Sequence, residues 1–187
     1  MATTLEQKKT ASILYVPIIY NLLLENKVNE NIVPYLIAQL AFETAFFTDP
    51  KLKTLNNPGG ISWNPNYNKR PGTSKGSLRP PKEGGYYVKF DNLKTAIKDY
   101  IRIINKNGSL GRPIQADTLE NFVDRLKANT YFTSPKEDYK RGLISINKRL
   151  STWNDYAAIS KKKTSLTANI GIFAVLLALG YFTKKFF

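Results

Sequence analysis

AQLAFETAFF, residues 38–47, sets one ionisable side chain, Glu43, inside an otherwise apolar run. Leu36, Leu40 and Glu43 follow i, i+4, i+7, so a helix predicted over residues 31–47 carries Glu43 on or beside its apolar stripe. Burying a carboxylate there is costly unless it is paired or protonated. Two readings follow. If Glu43 faces a groove, its neighbours Phe42, Phe46 and Phe47 raise its pKa and keep it protonated, as a general acid for a glycosidic oxygen requires. Otherwise it ends the helix and pairs with one of the many lysines.

The apolar spacing of residues 5–24, through Ile13, Val16, Tyr20, Leu23 and Leu24, predicts a preceding helix that Pro17 bends or restarts. Residues 55–85 break into Gly, Pro, Asn and Lys, which is turn and hairpin chemistry. Tyr86, Val88 and Phe90 then alternate as one short strand, which suggests a small two-stranded flap. Helical spacing returns over 92–107 with Leu93, Ile97, Tyr100, Ile101 and Ile104 on one face, and Asp91 is the expected N-cap. Asp117 with Glu120 forms a capping-box pattern before Leu119, Phe122, Val123 and Leu126. Ser134, Pro135 and Glu137 mark the start of a last helix with Tyr139, Leu143, Ile146 and Leu150 facing inward. The expected domain, residues 1–155, is therefore mainly α, in the α+β class.

Composition removes several chemistries. The 187 residues contain no cysteine and no histidine, so disulfides, thiolate nucleophiles and the usual metal ligand and general base are missing. Carboxylates and tyrosines are left, and neither a metal nor a cofactor is expected. The formal charge is +14, and only five of the 28 lysines and arginines follow the last acidic residue, Asp155. A basic domain suits an anionic partner, whether wall polymer, anionic lipid or nucleic acid. No groove-reading helix or RNA-binding aromatic block is present, so nucleic acid is not expected. Residues 1–10, MATTLEQKKT, do not read as a cleavable signal. Residues 164–183, TSLTANIGIFAVLLALGYFT, carry no charge and lie between Lys161–Lys163 and Lys184–Lys185. At 1.5 Å per residue they reach about 30 Å, one hydrocarbon thickness. The sequence thus predicts a basic hinge over 156–163, a single transmembrane helix over 164–183 and a short tail over 184–187, with a lipid membrane as partner. Its orientation and the oligomeric state stay open.

Four blocks, AQLAFETAFF, NNPGGISW, GGYYVKFDNLKTAIKDYIRII and ANTYFTSPKEDYKRGLISI, resemble, in the same order, the glucosaminidase family of peptidoglycan hydrolases. They cover roughly residues 35–150. The resemblance implies a lysozyme-like helical domain with a β-hairpin beside a cleft, and peptidoglycan glycan strands as substrate. It assigns Glu43 as the general acid. Asn56, Asn57, Gly60 and Ile61 match the turn after the catalytic helix, Tyr131 matches the family's tyrosine and Tyr139 its second aromatic. Family members also carry a hairpin glutamate, and the one acidic residue of this hairpin before Asp91 is Glu83, in PPKEGG. Its spacing from Phe90 is shorter than the family pattern, which leaves it as the second carboxylate or as a solvated loop charge. In the second case Glu43 would work with the substrate's N-acetyl group.

Tyr131 would orient the sugar N-acetyl group or stabilise the transition state, against the plainer reading of a core tyrosine with one hydrogen bond. Trp63, Tyr67, Tyr86 and Tyr87 are candidates for stacking on sugar faces or for packing the hairpin. Asn57, Trp63, Tyr86 and Tyr139 complete the expected substrate-binding set. The function expected is hydrolysis of the β-1,4 bond after N-acetylglucosamine by a membrane-tethered enzyme of the endo-β-N-acetylglucosaminidase type. An anchor on a wall hydrolase without a signal suggests a bacteriophage virion or lysis context. The alternatives are a lytic transglycosylase, which the absence of a GLMQ-like string disfavours, and a catalytically degenerate module that binds glycan or scaffolds a membrane assembly.

Overall fold

Thr4 opens the first helix by accepting the Gln7 N–H at 3.2 Å, while the Gln7 side chain accepts the Thr4 N–H at 2.9 Å. This reciprocal cap satisfies two donors that the helix itself cannot. The computed structural model describes residues 3–161, and there α1 runs over Leu5–Glu25 as one helix through Pro17. Proline removes the bond to the Ile13 carbonyl. Burial of Val16, Ile19, Tyr20, Leu22 and Leu23 along one face carries the helix past that defect, and Ile13 itself is exposed.

The apolar segment α2, Val33–Glu43, is the centre of the core. Val33, Leu36, Ile37, Ala38, Leu40 and Ala41 are fully buried, and α2 packs against α1 and the later helix α6, Lys136–Ser151. It ends at Glu43, short of the residue 47 that apolar spacing predicted. A short helix α3, Pro50–Leu55, follows, capped by Asp49, whose carboxylate accepts the Lys51 N–H at 2.8 Å.

The hairpin pairs β1, Thr73–Leu78, antiparallel with β2, Tyr86–Phe90. Thr73 opposes Phe90 and Lys75 opposes Val88, after which the register shifts so that Leu78 opposes Tyr86. Gly76 sits in this bulge, where a Cβ would lie 2.8 Å from the Tyr87 carbonyl oxygen; only glycine permits that approach. On its other edge β2 receives residues 61–63, through Val88 N–H to the Ile61 carbonyl at 2.9 Å and Trp63 N–H to the Tyr86 carbonyl at 2.7 Å.

Helix α4, Leu93–Ile104, is capped by Asn92, not Asp91; the Asn92 side chain accepts the Thr95 N–H at 2.9 Å. Likewise α5, Leu119–Ala128, is capped by Thr118 and not by Asp117. In both places the true cap is the residue immediately before the first helical turn, where a side-chain oxygen reaches the N3 amide. Pro135 precedes α6 without a side-chain cap. Tyr67, on a single 3-10 turn at Pro65–Lys69, donates to Asp99 of α4 at 2.8 Å, and Arg70 and Arg102 reach the same carboxylate at 2.9 and 2.7 Å. This network, centred on the buried Asp99 and Tyr67, ties the loop before the hairpin to α4.

The chain divides into two units, residues 1–156 and 157–187. A last helix, α7, is described over Tyr156–Lys161. The described fold is mainly helical with one two-stranded sheet, as the α+β expectation has it, but the membrane part of that expectation is corrected. Among the described residues no helix is long and apolar enough to cross a membrane. The reasons are physical: α1 is long but carries Glu6, Lys8, Lys9 and Glu25, whereas α2 is apolar but its 11 residues span about 16 Å, half a hydrocarbon core. The predicted span over 164–183 lies outside the described residues. A single-pass C-terminal anchor, a lipid partner through it and a membrane location are therefore withdrawn, and the virion context loses its support with them.

Candidate active site

Glu43 owes its position to an unusual turn. Directly after it Ala45, Phe46 and Phe47 all have positive φ, at 48°, 59° and 64°, a conformation that costs a non-glycine residue roughly 1–3 kcal/mol. Four interactions hold the turn. The Phe46 N–H reaches back to the Ala41 carbonyl at 2.7 Å. The Thr44 hydroxyl donates to the Leu40 carbonyl at 2.7 Å and accepts the Phe47 N–H at 3.1 Å. The Phe47 ring is 0% exposed, so its burial opposes the strain. Glu43 is thereby left at the very end of α2 with its side chain turned to a groove.

That groove, of about 280 Å³, is walled by Glu43 and Thr44 on one side, Asp49, Lys51, Leu52 and Leu55 at the α3 end, Asn57 and Gly60, and by Arg79, Pro80, Glu83 and Tyr87 of the hairpin. Three of the predicted site residues, Glu43, Glu83 and Asn57, line the same space. Partial burial, then the negative charge of Glu83, raises the Glu43 pKa above its ordinary value. The phenylalanines are not arranged as the sequence reading expected, since Phe42 is 71% exposed. The covering comes instead from the turn after α3, because a Cβ on Gly60 would lie 3.6 Å from Glu43 Oε2.

Asn57 builds that turn. Its buried amide donates to the Ile61 and Val88 carbonyls, both at 2.9 Å, and its oxygen accepts the Ile61 N–H at 2.8 Å. Asn56, in the left-handed region at φ 49°, donates to the Phe90 carbonyl at 2.9 Å. The NNPGG string is thus a clamp joining the end of α3 to β2. Behind it lies a tyrosine cluster. Burial, then the Glu43 charge, pushes the Tyr131 pKa up to about 12, with the neighbouring Tyr100 hydroxyl acting the other way. Tyr139 is raised by burial, then by Tyr131 and Glu43; its ring stacks on Phe132 with centroids 3.9 Å apart, and its hydroxyl is buried without a protein partner. Tyr131 and Tyr139 therefore share the electrostatic surroundings of Glu43.

Trp63 and Tyr86 do not line the groove. Trp63 packs on Tyr67 with centroids 5.9 Å apart, and Lys75 lies 3.6 Å over the Tyr86 ring. The groove aromatic is the next residue, Tyr87, which carries Lys51 Nζ 4.5 Å above its ring and accepts a hydrogen bond from it at 3.2 Å. Sequence reasoning also passed over Tyr100 and Arg79 as individual site residues. Tyr100 is fully buried beneath Gly59, where a Cβ would lie 2.9 Å from its ring; its one signal was a hydroxyl on an apolar helical face. Among the described residues no cluster of acidic side chains could hold a metal ion.

Two glutamates, the first with a raised pKa, line one groove. The family model for glucosaminidase, described as mannosyl-glycoprotein endo-beta-N-acetylglucosaminidase, matches residues 18–152. That span is more than half of the chain and contains the groove, so the chain belongs to the glucosaminidase family and is a glycoside hydrolase acting on peptidoglycan. No curated protein and no solved structure gives a significant match.

Proposed function

We propose that the enzyme hydrolyses the β-1,4 bond after N-acetylglucosamine in peptidoglycan, with Glu43 as general acid and Glu83 as the second carboxylate. The observation that carries this reading is the shared groove, in which the charge of Glu83 helps to keep the Glu43 proton in place. Protonated Glu43 gives its proton to the leaving glycosidic oxygen as the bond breaks. Glu83, from the facing hairpin, takes the proton of the attacking water or stabilises the oxocarbenium-like transition state. Tyr131, beside Glu43, supplies a neutral phenol that orients the sugar N-acetyl group or donates to developing negative charge. Tyr139 belongs to the same buried cluster as Tyr131, Asn57 shapes the groove it lines, and Trp63 and Tyr86, outside the groove, pack the hairpin lobe.

The test is digestion of purified sacculi with product analysis by mass spectrometry. Wild type yields products with reducing N-acetylglucosamine ends, and Glu43→Gln yields none above background. Anhydromuramic products would instead assign a lytic transglycosylase. Equal clearing by wild type and Glu43→Gln in a zymogram would remove Glu43 from the mechanism.

A further inference from the structure

We propose that Arg79, seated on the ring of Tyr87, is the positioning residue that holds the Glu83 carboxylate in the groove. The inference rests on the reading of Glu83 as second carboxylate. The Glu83 backbone is fixed in a tight turn, its N–H bonded to the Pro80 carbonyl at 2.8 Å, but its side chain is held far less firmly. Its side chain is 47% exposed, and the following Gly84 and Gly85 have positive φ with open space around them. Such a carboxylate would sample many rotamers, and catalysis needs one within about 0.5 Å.

Arg79 supplies the restraint. Its guanidinium Nη2 donates to Glu83 Oε2 at 2.6 Å, and its backbone N–H closes the loop onto the Gly85 carbonyl at 3.0 Å. The arginine is itself fixed, with its side chain 23% exposed and the guanidinium 5.5 Å from the centroid of the buried Tyr87 ring. Its Nε is buried without a protein partner, an expense an ordinary surface ion pair does not carry. Tyr87 is held in turn by Lys51, and Lys51 by Asp49 at 3.5 Å. A continuous set of contacts therefore runs from the start of α3, through β2, to the loop carboxylate. The charged groups sharing the groove with Glu83 are Glu43 from α2, Asp49 and Lys51 from the α3 end, and Arg79. Of the two cations, Arg79 is the one bonded to Glu83.

The experiment is steady-state hydrolysis of purified peptidoglycan by Arg79→Gln, Arg79→Lys, Glu83→Ala and the double variant Arg79→Gln/Glu83→Ala, with circular dichroism to verify folding. Arg79→Gln should lower kcat by about 10- to 100-fold with KM changed by less than about threefold, because a base left in place but unpositioned keeps part of its effect. Arg79→Lys should recover part of the loss, since its ammonium reaches the carboxylate without the planar fork. In the Glu83→Ala background Arg79→Gln should add no further loss. If Glu83→Ala keeps wild-type kcat, the reading of Glu83 fails. If Glu83→Ala is inactive while folded Arg79→Gln keeps wild-type kcat, only the positioning role fails. A rise in kcat on Arg79→Gln would make the pair an inhibitory latch and overturn the proposal. If Arg79→Gln does not fold, Arg79→Lys decides: lowered kcat with KM unchanged supports positioning by the planar fork, and wild-type kcat overturns it.

Discussion

Replacing Thr44 by valine keeps the branched shape of the side chain and removes its hydroxyl. That hydroxyl bridges the Leu40 carbonyl and the Phe47 N–H at 2.7 and 3.1 Å, in a site where Thr44 is 3% exposed and Phe47 is 0% exposed. The Phe47 N–H would then be buried without its partner, which costs about 1–3 kcal/mol, and the bond to Leu40 contributes about 1 kcal/mol more. The three left-handed residues of the turn supply no compensating freedom, because relaxing them would expose the Phe47 ring. Thr44→Val should therefore destabilise the domain by about 3 kcal/mol, or about 6–12 °C in Tm for a domain of this size. Thr44→Ser retains both hydrogen bonds and loses one methyl, so it should cost about 1 kcal/mol. Guanidinium unfolding of the three proteins measures both values. A Thr44→Val change within about 0.5 kcal/mol of wild type, or a serine variant as unstable as the valine one, would refute the assignment of the hydroxyl as the latch of the turn.

Three more outcomes follow from the same structure. Because the Glu43 pKa is raised in the folded state, folding is opposed once the carboxyl ionises, and the associated stability is present at low pH and lost as pH rises through the folded pKa. Glu43→Gln should thus unfold at higher temperature than wild type at neutral pH and at nearly the same temperature near pH 3, and a constant difference across pH would contradict the raised pKa. Asp99→Ala removes the acceptor shared by Tyr67, Arg70 and Arg102 and should cost about 2–3 kcal/mol in urea unfolding, discounted because both arginines are partly exposed. Gly59→Ala forces a Cβ to within 2.9 Å of the buried Tyr100 ring. It should lower stability by about 1–3 kcal/mol and shift the Tyr131 phenol titration, read by ultraviolet difference absorbance, whereas an unmoved titration would separate Tyr100 from the site.

The helices were legible because burial imposes a 3.6-residue period on α1, α2, α4 and α5 that survives in a single sequence. Their ends were less so. At Asp91-Asn92 and Asp117-Thr118 two good capping residues adjoin, and the choice between them depends on where the first turn begins in space. The end of α2 was illegible for a stronger reason. Ala45, Phe46 and Phe47 have no local preference for positive φ, and the turn exists because Thr44 and the buried Phe47 ring hold it there. Glu43 stood out as a charge in an apolar run, yet the phenylalanine beside it faces solvent and the pKa shift comes from partial burial and a glutamate 40 residues away. An electrostatic coupling across that separation leaves no periodic trace. Tyr87 was legible only as one of four aromatics open to stacking or packing; strand alternation groups Tyr86, Val88 and Phe90, and both faces of β2 turn out to be used.

The bulge in the hairpin links these features. With Thr73 opposite Phe90 and Lys75 opposite Val88, an unshifted ladder would place Ser77 opposite Tyr86; the observed partner is Leu78. The extra residue alters the facing of everything beyond it on β1, because successive strand side chains alternate sides. Arg79 thereby comes to lie over the ring of Tyr87, on the groove side, with Glu83 in reach. The bulge depends on Gly76, whose missing Cβ lets the strand approach the Tyr87 carbonyl and Leu55 of α3. Glu43, the proposed acid, is thus set by a strained turn inside the core, and Glu83, the proposed second carboxylate, by a strand register pinned against α3. Leu55 is where the two meet, lining the groove while touching the bulge. Substitutions there should alter the separation of the two carboxylates without removing either.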